Sequence, residues 1–164
     1  MLVLRCTTKY RARMSLPRSL PDLPEPENAL GSWYANLLNV GGGRFLHYMS
    51  SRSLLSVIIP LREARTAEGR LRSAMERVLR HIGAPTPSIA AEMAALSAAG
   101  HSQARNRSIL ASMRDQAGGA AFQFRRGFSA EQVSEILVVT PCGPMDHQSP
   151  ERVSRRLLEE TWGS

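Results

Sequence analysis

The sequence predicts an α+β domain: a small, mainly antiparallel sheet of three to four strands, packed by four to five helices. Three observations carry that expectation. Residues 31–60 hold three strand-like apolar runs separated by short, turn-competent joints. Residues 71–82 repeat apolar side chains at helical spacing. The 164 residues, 43% of them apolar, suit a single domain over 1–164 that needs no disulfide or metal staple.

In chain order, "LVLRC" (2–6) reads as a short strand, and residues 7–14 as one or two helical turns. Residues 15–29, "SLPRSLPDLPEPENA", carry four prolines, which remove donors and block helix, so an extended surface loop is expected. Three strands follow: 33–40 "WYANLLNV", 44–50 "RFLHYMS" and 54–60 "LLSVIIP". The "GGG" joint at 41–43 lacks both the following helix and the Lys-Ser/Thr of a phosphate loop, so it predicts a hairpin turn.

Thr66 is a candidate N-cap for a helix whose inner stripe is Leu71, Ala74, Met75, Val78, Leu79 and Ile82, ended by Gly83. Arg70, Arg72, Arg77 and Arg80 fall off that stripe, as a solvated face would. Ser88 is expected to cap a second helix through about Ala99, with Gly100 stopping it. Residues 106–116 predict a third helix, weakened by Gly118 and Gly119 at about 1 kcal/mol each against alanine. Ser129 and Gln132 form a capping-box pattern before "VSEILVV". "TPCGP" (140–144) is a turn, and Ser149-Pro150 opens a last helix through about Glu160. Residues 140–164 read as a turn and helix that can stand as an appendage to the domain.

The formal net charge is +7, and 20 of the 21 basic residues are arginine, with Lys9 the exception. Arginine in place of lysine fits a GC-rich codon bias. The net charge itself favours an anionic partner, and the planar guanidinium fork suits phosphate and carboxylate. Cys6 and Cys142 fit no metal spacing, and two free thiols suit a reducing, cytoplasmic setting. No stretch approaches the roughly 18 apolar residues of a membrane span, so no membrane partner is expected. Residues 1–21 hold five basic groups and no acid, in the manner of a transit peptide, but "LVLRC" reads as a structural strand.

"RCTTK", "LGSWYANLL", "LLSVIIPLREA", "NRSILASM", "TPCGP" and "SPERVSRRLL", taken in order, resemble a bacterial family known as domain of unknown function 6933. The resemblance covers nearly the whole chain and implies a small α-plus-β domain, with no assigned activity, cofactor or catalytic residue. Two departures stand out. Ser32 precedes Trp33 where the family usually has an acid, and "QAGGA" is inserted after "SMRD", which leaves the continuity of the third helix open.

The leading functional expectation is a non-enzymatic binding protein for an anionic partner, nucleic acid first. Its candidate residues are Arg105, Asn106 and Arg107, at a helix start whose free backbone donors suit an anion, and Arg125 and Arg126 after "AFQF". That last mix of basic and aromatic residues is typical of single-strand binders. A second reading is an enzyme or toxin-like nucleic-acid-processing activity near Cys6, Asn36 and His47. Its chemistry would be a thiol nucleophile beside an imidazole base. A third is an accessory protein acting through protein–protein or homo-oligomeric contacts. The histidines His47, His81, His101 and His147 match no ligand spacing, so no metal and no cofactor are expected.

Two residues of the first long strand are singled out. Burying Trp33 removes roughly 150–250 Å² from water, worth about 4–6 kcal/mol at ~25 cal/mol/Å², so it is expected in the core. Asn36 lies on the opposite strand face. If buried, its amide needs partners, and it either ties down the proline-rich loop or lines a ligand pocket.

Overall fold

The computed structural model describes residues 1–163. Five strands form one mixed sheet in the order β4-β3-β2-β1-β5. They are β1 (Leu2–Cys6), β2 (Trp33–Val40), β3 (Gly43–Ser50), β4 (Ser56–Pro60) and β5 (Ala99–Gln103). The helices are α1 (Thr8–Arg13), α2 (Ala67–His81), α3 (Thr86–Ala95), α4 (Arg107–Arg125), α5 (Ala130–Val138) and α6 (Pro150–Trp162). The class is the expected one, but the sheet has five strands, not three to four.

The meander β2-β3-β4 is antiparallel, and its first turn places Gly41 and Gly42 at φ +52° and +81°. Two consecutive left-handed residues twist a two-residue hairpin in the same sense as its strands, which is why glycine stands there. Strand β1 then pairs parallel with β2 on one side and with β5 on the other. A parallel pair needs a crossover of a dozen or more residues. Between β1 and β2 that crossover is α1 plus the proline-rich loop.

Strand β5 corrects the expectation of a helix through Ala99 stopped by Gly100. Helix α3 begins at Thr86, two residues before Ser88, and ends at Ala95; Gly100 lies within the strand. A Cβ on Gly100 would come within 2.8 Å of Leu23 Cδ1 and 3.0 Å of Met1 Sδ, so glycine permits the loop to lie against the sheet.

Side chains alternate across the sheet. One face carries Leu2, Leu4, Cys6, Trp33, Ala35, Leu46, Tyr48, Val57 and Ile59. Against it pack Leu71, Met75, Val78 and Leu79 of α2, Ile89 of α3 and Leu158 of α6. The other face carries Tyr34, Leu38, Met49 and Ile58, covered by Met113 and Ala120 of α4 and by Val133 and Leu137 of α5. Both faces of the sheet are therefore covered by helices. Edge strand β4 is also guarded, because the Ile58 N–H donates to Ser134 Oγ of α5 at 3.0 Å.

Helix α4 runs unbroken for 19 residues through Gly118 and Gly119, so "QAGGA" does not interrupt it. Tertiary packing against Tyr34, Met49 and Leu38 outweighs the glycine penalty. The capping box at Ser129 and Gln132 forms with both reciprocal bonds, 3.2 and 2.9 Å. Thr66 stands at the N-cap of α2 but makes no side-chain cap bond.

The proline-rich loop is pinned by buried polar groups. Arg5 donates to the Leu23 carbonyl at 2.6 Å and pairs with Glu25 at 3.3 Å. Ser102 Oγ accepts from Leu23 N and donates to the Pro21 carbonyl. Glu92, 0% exposed, accepts from Asn28 Nδ2 (2.7 Å), Ala29 N (2.9 Å), Leu30 N (3.1 Å) and Trp162 Nε1 (2.7 Å). Tying down this loop therefore falls to Arg5, Ser102 and Glu92, not to Asn36.

Candidate nucleic-acid interface

The pairing register separates the thiol–imidazole pair. Cys6 lies beside Ala35, on the face that packs α2, whereas Asn36 lies opposite His47 on the face that packs α4 and α5. Only Asn36 and His47 are thus brought together, and Cys6 is on the other side of the sheet. Burial pushes the Cys6 thiol up to about 12, the reverse of what a nucleophile needs. Asn36 is half-buried and has a partner in the fold: its Oδ1 accepts from Thr7 Oγ1 at 2.8 Å, tying the end of β1 to β2.

His47 is buried, and burial pushes its imidazole down to about 4. Its Nε2 lies 2.8 Å from Ser56 Oγ, which donates in turn to Gln116 Oε1. Gln116 Nε2 reaches the Leu54 carbonyl at 3.0 Å and Cys142 Sγ at 3.7 Å. Cys142 borders a cavity of about 230 Å³ shared by α4, α5 and the 140–144 turn, and burial raises its thiol too. Ser56 is 0% exposed, so this Ser-His pair is closed to any substrate.

The line from His47 to Gln116 has a consequence for pH. An imidazole at about 4 in the fold and ~6.5 in the unfolded chain favours folding while neutral. Its full contribution, about 3 kcal/mol, is present above pH ~6.5 and is lost as pH falls toward 4. Urea unfolding at pH 7 and pH 4.5 checks this. Between those two pH values the native chain should lose about 2 kcal/mol more stability than a His47→Gln variant.

The arginines named from sequence divide. Arg105 and Arg107 are exposed at the start of α4. Two of the backbone donors there are taken, because Asn106 Oδ1 accepts from Ser108 N at 3.0 Å and Ile109 N at 3.2 Å. The cap thus competes with an anion for the N–H groups at this helix start. Arg125 and Arg126 end α4, where a cation is favoured by the helix dipole at about 0.3–1 kcal/mol. The Arg126 guanidinium lies over two rings, 5.3 Å from Phe128 and 5.8 Å from Phe122.

A second basic cluster has no counterpart among the residues singled out above. Arg13 ends α1, Arg44 follows the β2–β3 turn, and Arg62 and Arg65 sit on the single-turn helix Leu61–Thr66. All four are exposed and line two adjoining hollows of about 440 and 470 Å³ that share Arg13, Leu61 and Arg62. Among the described residues, none of the four pairs with a carboxylate. Phe45 lines the same groove, and its ring stacks on Phe124 of α4 at 4.3 Å between centroids. The groove and the end of α4 that carries Arg125 and Arg126 therefore meet across that aromatic pair. The four arginines of the groove come from segments far apart along the chain, so no local pattern in the sequence groups them.

Fold and groove together define a small, basic, mixed α/β protein with both sheet faces covered and an arginine-lined groove at the hairpin end. Its family follows from comparison with known proteins: the model described as "Domain of unknown function (DUF6933)" matches residues 3–153, and the chain belongs to that family. Neither a curated protein nor a solved structure matches the chain. No helix among the described residues is long and apolar enough to cross a membrane. Among the same residues no group of three or more His, Cys, Asp and Glu is placed to hold a metal ion.

Proposed function

We propose that the protein binds a polyanion, nucleic acid first, at the hairpin end. Arg13, Arg44, Arg62 and Arg65 hold the phosphates, and Arg125 and Arg126 extend the surface. One observation carries the reading: four guanidinium groups from three separate segments face one groove without a carboxylate among its lining residues. Like charges gathered this way repel one another, and an anion seated among them relieves that repulsion. Guanidinium also binds phosphate bidentately, which lysine does not. Glu63 lines the neighbouring hollow with Arg70, Arg77 and Glu131, and Arg62 borders both that hollow and the groove.

The test is fluorescence anisotropy of a labelled oligonucleotide over a salt series. Binding that rests on phosphate contacts weakens with salt by about 0.7–0.9 in log–log slope per contact. Replacing Arg44 and Arg62 together by alanine is expected to weaken binding at least 10-fold at about 50 mM salt and to reduce the slope by roughly 1.4–1.8. Unchanged affinity and slope in that variant would remove the groove from the interface.

A further inference from the structure

We infer that the partner is a single-stranded nucleic acid and that it runs along the outer face of α4, with a base stacked on Phe122; this rests on the polyanion reading above. At 100° per residue, Arg107, Arg114, Gly118, Phe122 and Arg125 fall within one sector of the helix, about 80° wide. All five are exposed. At 1.5 Å per residue the stripe is ~27 Å long, so an unbroken α4 joins the two arginine clusters that the sequence alone left separate. The one acid of α4, Asp115, is exposed at the edge of that sector, about 20° beyond Phe122, and also borders the cavity beside α5.

The stripe contains an anomaly that packing does not explain. Glycine costs a helix interior more than any residue but proline. Yet a Cβ on Gly118 would meet nothing within 4 Å, and one on Gly119 would make an ordinary contact with Leu137 at 3.6 Å. Nothing inside the protein requires glycine at either position. What glycine does provide is a flat stretch of helix between Arg114 and Phe122, where a sugar–phosphate chain can come close to the backbone.

Phe122 is 53% exposed, an unusual position for a large apolar ring. The Arg126 guanidinium lies over one side of it and also over Phe128, and the rest of the ring meets solvent. An aromatic face of this kind stacks on an unpaired base of any sequence, whereas a duplex keeps its base faces hidden. Charge on the stripe and stacking at Phe122 therefore point to a single strand.

The experiment compares a labelled 12-nucleotide single strand with the duplex of the same sequence, against the full chain and three variants. The single strand should bind at least 10-fold tighter than the duplex. Phe122→Ala should weaken single-strand binding about 5- to 150-fold with an unchanged salt slope, and Phe122→Trp should restore it. Gly118→Ala should raise the melting temperature by about 2–4 °C while weakening the single strand severalfold. Duplex binding as tight as single-strand binding, with Phe122→Ala neutral, overturns this inference and leaves the arginine groove standing. Failure of both nucleic acids to bind at about 50 mM salt overturns the polyanion reading itself, and this inference with it.

Discussion

Replacing Glu92 by alanine is expected to destabilise the protein by about 4–6 kcal/mol, the largest effect of any single substitution described here. Its two oxygens accept from four donors: Asn28 Nδ2 and Leu30 N on Oε1, and Ala29 N and Trp162 Nε1 on Oε2. A carboxylate offers about four acceptor positions, and all are used. Removing it leaves those donors unpaired, at about 1–3 kcal/mol for each that stays dry. Against a total stability of roughly 5–15 kcal/mol, that is a large share. The same group closes the proline-rich loop onto α3 and joins α6 to both. Limited proteolysis should therefore cut residues 15–29 faster in the variant. Glu92→Gln, which keeps the shape but turns one acceptor into a donor, should cost less, about 2–3 kcal/mol. Urea unfolding measures both, and an alanine variant within 1 kcal/mol of the native chain would show that the four bonds do not hold the loop.

Trp33→Ala should cost about 3–5 kcal/mol. Trp33 is 0% exposed and sits between Leu4 of β1 and Ser50 of β3 in the register, on the face packed by α2. Its truncation opens a hole that the surrounding Leu, Met and Val side chains cannot close without moving strands. Its indole Nε1 has no hydrogen-bond partner among the described residues. Trp33→Phe removes that orphaned donor along with part of the ring, so it should cost less than about 1.5 kcal/mol. A Trp33→Ala variant that keeps full stability and loses only binding would make the residue part of the interface instead of the core.

How much of this was legible in the sequence depended on whether the signal was local. Strands β1 and β2 were read with the bounds they have, because each is a short apolar run closed by a turn or helix signal. The stripe of α2 and the caps at Ser129 and Ser149 are likewise written into neighbouring residues. Strand β5 was invisible: "AGHSQ" has no apolar alternation, and its strand character comes from pairing with β1, almost 100 residues earlier.

The site follows the same division. Arg125 and Arg126 stand beside aromatic residues in the chain and were singled out. Arg13, Arg44, Arg62 and Arg65 converge only because the end of α1, the β2–β3 turn and the segment after β4 fold to one end of the sheet. Cys6 and His47 could be imagined as neighbours until the register placed them on opposite faces. Glu92 left no trace at all, being one acid in an alanine-rich helix whose role depends on the loop it receives.

The arginine groove is expected to hold phosphate. The most direct measurement is the affinity of the native protein for a single-stranded oligonucleotide between about 50 and 200 mM salt. Four to six guanidinium–phosphate contacts predict a linear fall of log K with log salt, of slope roughly −3 to −4. A slope near zero, or no binding at the lowest salt, would contradict it.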